Sequence, residues 1–355
     1  MSSLVLAGAL AVPFPTDACT GITLKSKDGA TVVARTIEWA GGNLNSQYVV
    51  VPHGHVRRSY TPDGGMNGMR FKARYGYVGF AVEQEEFIAE GLNEAGLSAG
   101  LFYFPKAGEY QPYDPAEQSR SIADLQLVSY VLGECGTVDE VKAAVSKVRI
   151  TTIDPQALTV HWRFADTSGR QLVLEVIEGV PRFYENQLGV LTNSPGFEWH
   201  LTNLNNYVNL FPGSAPEHPF GNIGLAPLGG GSGFLGLPGD FTPPSRFVRA
   251  AFFQTTAPQR ATAFESVLQC FHILNNFDIP IGVQYAEGET PADIPSATQW
   301  TAATDMSHRM LYYRTMYNST IRSIDLRSID FSKVKYRAKP LDAVKSQAVE
   351  AIVVE

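Results

Sequence analysis

The order of elements along this chain predicts an α+β fold in which two antiparallel sheets pack together with helices outside. Strand-like apolar runs bounded by turn residues alternate with helix-period blocks, in the order strands, helices, strands, helices, strands. No internal repeat and no clear linker interrupts the 355 residues, so both sheets belong to one domain, residues 19–355.

Residues 1–18, "MSSLVLAGALAVPFPTDA", hold an apolar run from Leu4 to Val12, a helix-breaking Pro13 and a small Ala18 just before Cys19. That pattern reads as an export segment removed by cleavage before Cys19, which places the mature protein in the periplasm or outside the cell. A lipid-anchored, non-catalytic exported binding protein is the competing reading of the same cysteine. The polar stretch Pro15-Thr16-Asp17-Ala18 speaks against it.

"CTGITLK" and "ATVVART", joined by Ser26-Lys27-Asp28-Gly29, read as a hairpin. "SQYVVVP" (46–52), "YGYVGFAV" (75–82) and "LSAGLFYF" (97–104) follow as strands. Ser121 is placed to cap a helix carrying Ile122, Leu125, Val128 and Leu132, and Thr137 to Glu140 form a capping-box signature for a second. "LTVHWRFAD", "QLVLEVIE", "RFYE" and "LGVLTN" make a second run of strands over 158–193. Helices fit "SRFVRAAFFQ" and "RATAFESVLQCFHILNNF", and "TQWTAAT", "RMLYYRTM" and "TIRSIDL" close the chain as strands. Between Asn205 and Pro244 the chain is rich in Gly and Pro with interspersed Phe and Leu. Such a segment is an active-site lid, an oligomer contact or a permissive surface excursion.

Composition narrows the function. With 28 Lys and Arg against 35 Asp and Glu and no basic block, the chain lacks the clustered cations that bind nucleic acid. No stretch after the N-terminus approaches the ~18 apolar residues of a membrane helix. Three distant cysteines offer neither a disulfide framework nor metal-ligand spacing. Cys135 and Cys270 sit in helical patterns as buried, inert thiols, and His53 and His55 in "PHGH" find no third ligand, so neither a metal nor a role for any histidine is assigned.

Cys19 differs from the other two by position. An α-amine has a pKa near ~8 against ~10.4 for a lysine, so a cysteine freed at its nitrogen carries its own base. A thiolate attacking an amide produces a tetrahedral oxyanion and then a thioester that water hydrolyses.

The blocks "CTGITLKSKDGATVVARTIEW", "LTNSPGFEWHLTNLNNY" (191–207), "PGDFTPPSRFVRA" (238–250) and "ILNNFDIPIGV" (273–283) resemble the choloylglycine hydrolase family of bile salt hydrolases and penicillin V acylases. These are N-terminal nucleophile hydrolases. The resemblance runs over nearly the whole chain after residue 18. It implies a four-layer αββα sandwich, no cofactor, a small-molecule amide as substrate and a homotetramer.

Carried over by resemblance, Cys19 is the nucleophile, Arg35 the arginine that favours its thiolate, and Glu38 the carboxylate that orients the α-amine, where the family usually has Asp. Asn193 is the oxyanion-hole asparagine. Arg246 is a second active-site arginine bracing the carboxylate network. Tyr103, through its backbone N–H, is the second oxyanion donor. Tyr103 falls where bile salt hydrolases offer Asn, and Trp39 resembles an acyl-pocket tryptophan, so the likeness is closer to the Gram-negative penicillin V acylase branch. Phe102 and Phe104 line the same pocket or fill the sheet interior. The expected substrates are penicillin V or N-acyl homoserine lactones, with conjugated bile salts as the alternative.

Overall fold

The computed structural model describes residues 18–39, 41–153 and 159–354. The export segment expected over residues 1–18 lies outside the described residues except for Ala18.

The chain opens with the expected hairpin, β1 (Ala18–Lys25) and β2 (Thr31–Glu38). Its turn closes through Gly29 N–H to Ser26 O at 3.1 Å, with Gly29 at φ +88°, a left-handed conformation that costs glycine little. This hairpin edges a five-stranded antiparallel sheet, continued by Thr298–Asp305, Met310–Thr315 and Asn318–Asp325. The second sheet has eight antiparallel strands. In spatial order they are Val180–Glu185, Gln171–Ile177, Val160–Ala165, Ser98–Tyr103, Ile88–Asn93, Tyr77–Ala81, Gln47–Val51 and Arg337–Pro340.

Helices Pro243–Thr256 and Ala263–Leu274 pack on the five-stranded sheet, and Leu127–Glu134 and Val138–Val145 on the eight-stranded one. The sheets meet between them: Phe80 of one sets its ring edge-on to Trp300 of the other, centroids 5.6 Å apart. The result is a four-layer αββα sandwich. Because β2 is covered on both faces, all eight of its residues are buried, Arg35, Thr36 and Glu38 among them. Buried charges in such a strand need partners close by.

Local signals place several elements. Thr262 accepts from Glu265 N–H at 3.2 Å while the Glu265 carboxylate reaches back to Thr262 N, a full capping box. Thr137 caps Val138–Val145 in the same way, but Glu140 turns to Gly136 N–H at 2.7 Å instead. Two expectations are corrected. Ser121 does not cap the start of a helix: Ser121–Ala123 pairs in parallel with Arg149–Thr151, and the α-helix begins at Leu127. "LGVLTN" is not a strand but meets β1 through one bridge, Gly21 to Leu191, with N–O distances of 2.7 and 3.1 Å. Cys135 and Cys270 are buried, and burial pushes the Cys135 thiol up to about 12.

Candidate active site

The hairpin register sorts the first residues of β1 onto two faces. Cys19 lies opposite Ile37 and Gly21 opposite Arg35, facing the eight-stranded sheet, while Ala18 opposite Glu38 and Thr20 opposite Thr36 face the helices. Arg35 and Glu38, three residues apart on one strand, therefore approach Cys19 from opposite sides.

Arg35 is fully buried. Its Nη2 donates to Cys19 Sγ at 2.8 Å, Nη1 donates to Ala89 O at 3.2 Å and to Leu101 O, and its guanidinium lies 4.0 Å over the Phe102 ring. Glu90 sits 3.7 Å from Arg35 and 3.3 Å from Arg163, so one carboxylate lies between two buried guanidiniums. Gly21 leaves room for this stack, since a Cβ there would meet Arg163 Nη1 at 2.9 Å and Phe102 Cζ at 3.0 Å.

Asn193 reaches the other side of Cys19 because the Gly21–Leu191 bridge holds the backbone two residues away. Its Oδ1 accepts from Cys19 N–H at 2.9 Å and from Arg246 Nη2 at 2.7 Å, and its Nδ2 donates to Tyr103 O at 2.7 Å. One N–H of that amide is thus committed to Tyr103 and the second can serve an oxyanion. Tyr103 also turns its backbone N–H to the Cys19 sulfur.

Arg246, near the start of Pro243–Thr256, donates from Nη1 to Cys19 O and, at 2.9 Å, to Thr20 Oγ1, and from Nε to Phe241 O at 2.8 Å. Its hydrogen bonds go to backbone, hydroxyl and amide acceptors, and it acts on the Glu38 carboxylate through charge alone. Burial lowers its pKa to about 10, which leaves it charged at neutral pH.

Arg35 pulls Cys19 toward the thiolate, as the resemblance implied, but it does not act alone. Burial raises the Cys19 pKa and outweighs the pull of Arg35 and Arg246, with Glu38 adding to the rise. With residue 18 attached, burial therefore favours the thiol over the thiolate. Burial also raises Glu38 to about 8; its Oε1 accepts from Thr298 Oγ1 at 3.3 Å and its Oε2 is buried with no partner among the described residues. That carboxyl faces residue 18, whose departure would leave an amine beside it.

Of the expected acyl-pocket residues, Trp39 is half-buried against the core, its backbone N–H donating to Ala297 O at 2.9 Å. Phe102 and Phe104 are both 0% exposed, the first between Arg35 and Arg163, the second stacked on His161 at 4.3 Å. Of the two readings open for them, filling the interior is the one this placement fits. A cavity of about 460 Å³ does border the site, lined by Ala18, Asp240, Phe241, Arg246, Val283 and Gln284. The end of the Gly- and Pro-rich segment thus joins the site, while Phe220, Ile223, Leu228 and Leu235 in its middle are exposed.

Glu90, Arg163, His161, Glu175 and His200 were missed. Four of them are ionisable residues inside apolar strands, "FIAEGLN", "VHWRFAD" and "LVLEVIE", and a charge in a strand buried on both faces was the available signal.

A buried thiol, an amide donor and two fixed guanidiniums around one strand end suit acyl transfer through a thioester. Residues 19–337 match the family model described as linear amide C–N hydrolases, choloylglycine hydrolase family. A bile salt hydrolase/transferase of Clostridium perfringens is 31% identical over 301 residues, 83% of this chain and 88% of that protein. The crystal structure of a mutant conjugated bile acid hydrolase from the same organism superposes with TM-score 0.82 at 29% identity, covering 94% of this chain and 100% of that one. The penicillin V acylase of Agrobacterium tumefaciens, at 24% identity and TM-score 0.72 over 91% of each chain, shares the fold.

Proposed function

Given that the chain belongs to the choloylglycine hydrolase family of linear amide C–N hydrolases, we propose that Cys19, freed at its α-nitrogen by removal of residues 1–18, splits an apolar acyl group from a polar amine. One observation carries this reading. The three polar atoms of Cys19 are each held by a different site residue: Sγ by Arg35, N by Asn193 and O by Arg246.

In the proposed cycle the neutral α-amine takes the thiol proton, and the sulfur attacks the substrate carbonyl. Charge develops on the carbonyl oxygen, where the second N–H of Asn193 Nδ2 and the Tyr103 backbone N–H beside the sulfur serve as donors. Collapse breaks the C–N bond, and the α-ammonium returns the proton to the leaving amine. Water, deprotonated by the same amine, then hydrolyses the thioester. Glu38 sits where it can pair with the α-ammonium once residue 18 has gone.

The substrates proposed are penicillin V or N-acyl homoserine lactones, supported by Tyr103 and Trp39. Conjugated bile salts are the second reading, favoured by the bile salt hydrolase relatives. Initial rates on penicillin V, an acyl homoserine lactone and glycocholate decide between them. Faster turnover of either of the first two supports the acylase reading, and glycocholate cleaved far faster than both overturns it. Export to the periplasm or beyond and a homotetramer complete the proposal. The exposed apolar side chains at 220–235 support an oligomer contact there.

A further inference from the structure

Behind Asn193 lies a cluster that the chemistry above does not use. His161 and Glu175 stand on adjacent antiparallel strands, one position beyond the Trp162–Leu174 pair. His161 Nδ1 is 3.1 Å from Glu175 Oε1 and its Nε2 is 3.0 Å from the carbonyl oxygen of Thr192. The same Glu175 Oε1 accepts the backbone N–H of Phe197 at 2.9 Å. His200 Nε2 lies 2.8 Å from the carbonyl oxygen of Asn193, with its ring stacked on Phe247 at 4.6 Å. His161, Glu175 and His200 are at most 1% exposed. Gly196 allows the close approach, because a Cβ there would meet Glu175 Oε2 at 3.1 Å.

The backbone on both sides of the Asn193 side chain, the Thr192 carbonyl before it and the Asn193 carbonyl and Phe197 N–H after it, therefore ends on three buried polar side chains. Burying an ionisable pair is a poor way to gain stability, since well-packed apolar residues often serve as well. What such a pair offers is a fixed direction for the groups it binds.

We infer that His161, Glu175 and His200 are positioning residues that aim the Asn193 amide at the oxyanion. The inference rests on the amidase reading. His161 and Glu175 come from the eight-stranded sheet and His200 from the helix Phe197–Asn203, so the amide is referenced to both. Burial lowers the His200 pKa to about 4, so its ring is neutral and Nε2 can donate to the Asn193 carbonyl.

The test uses the matured full chain and whichever of penicillin V, an acyl homoserine lactone or glycocholate the parent hydrolyses. Glu175→Gln and His200→Phe are compared with the parent in kcat, in KM and in the rate at which iodoacetamide alkylates Cys19. A positioning role predicts kcat lower by ~10-fold or more, with KM and alkylation each within about twofold. The nucleophile is then intact and only the oxyanion donor misdirected. The double variant should be no slower than the slower single, because both act on one amide. Values of kcat within about twofold of the parent would overturn the inference. So would a parallel loss of kcat and alkylation, or failure of both variants to fold, since each makes the cluster structural. A parent with no Cys19-dependent turnover on any of the three substrates rejects the amidase reading instead, before any variant is compared.

Discussion

Cys19→Ser is expected to lower amide hydrolysis by at least ~10³-fold while leaving the fold in place. The exchange of sulfur for oxygen is small, and the hydroxyl can still accept from Arg35 Nη2, so the buried guanidinium keeps a partner. What is lost is ionisation. Arg35 and Arg246 offset part of the burial that raises the Cys19 thiol, and a thiol, with an ordinary pKa of ~8.5, can still give its proton to an α-amine. An alcohol is far harder to ionise, and the α-amine is too weak a base to close the gap. Circular dichroism and the thermal midpoint should match the parent while turnover disappears. Turnover within tenfold of the parent would remove Cys19 from the nucleophile's place.

The next largest effect is expected at Asn193, where the choice of replacement decides what is learned. Alanine would strand two buried donors at once, Cys19 N–H and Arg246 Nη2, at ~1–3 kcal/mol each, and would also take the Nδ2 bond from Tyr103 O. A lost rate would then mix chemistry with misfolding. Aspartate keeps an oxygen for Cys19 N–H and for Arg246 but removes the Nδ2 donor. Asn193→Asp should therefore fold, with Arg246 beside the new carboxylate, and lose ~10²–10³ in kcat. KM should change far less, because the oxyanion exists only along the reaction path. A kcat within about threefold of the parent would take Asn193 out of the oxyanion hole.

How far the sequence discloses this molecule depends on the range of the interaction. The β1–β2 hairpin was legible because its turn, its glycine and its apolar runs are contiguous. The Thr137 cap was legible for the same reason. Ser121 misled because the partner of its strand, Arg149–Thr151, lies far along the chain and leaves no local trace. The position of Asn193 depends on one bridge to Gly21, which no periodicity announces.

At the site, resemblance named Cys19, Arg35, Glu38, Tyr103, Asn193 and Arg246, and the fold brings all six around the start of β1. Their contacts were less legible. The two-residue period of a strand does say that Arg35 and Glu38 face opposite ways. That Arg246 would bind the Cys19 carbonyl rather than a carboxylate depends on where a helix docks. The buried Glu90, Arg163, His161 and Glu175 announced themselves only as charges in apolar strands. Their pairing needs the sheet order, which is a property of the whole fold.

In the proposed mechanism, catalysis requires the nitrogen of Cys19 to be a free amine. In the unprocessed chain that nitrogen is a peptide N–H donating to Asn193 Oδ1, and Ala18 continues β1 opposite Glu38. A peptide nitrogen cannot accept the thiol proton. The most direct test is the intact mass and N-terminal sequence of purified, active protein, with the active fraction counted by titrating Cys19. The account predicts that the active fraction equals the fraction whose first residue is an unmodified Cys19. Full activity in protein that still carries residue 18, or a diacylglyceryl group on Cys19, would contradict it.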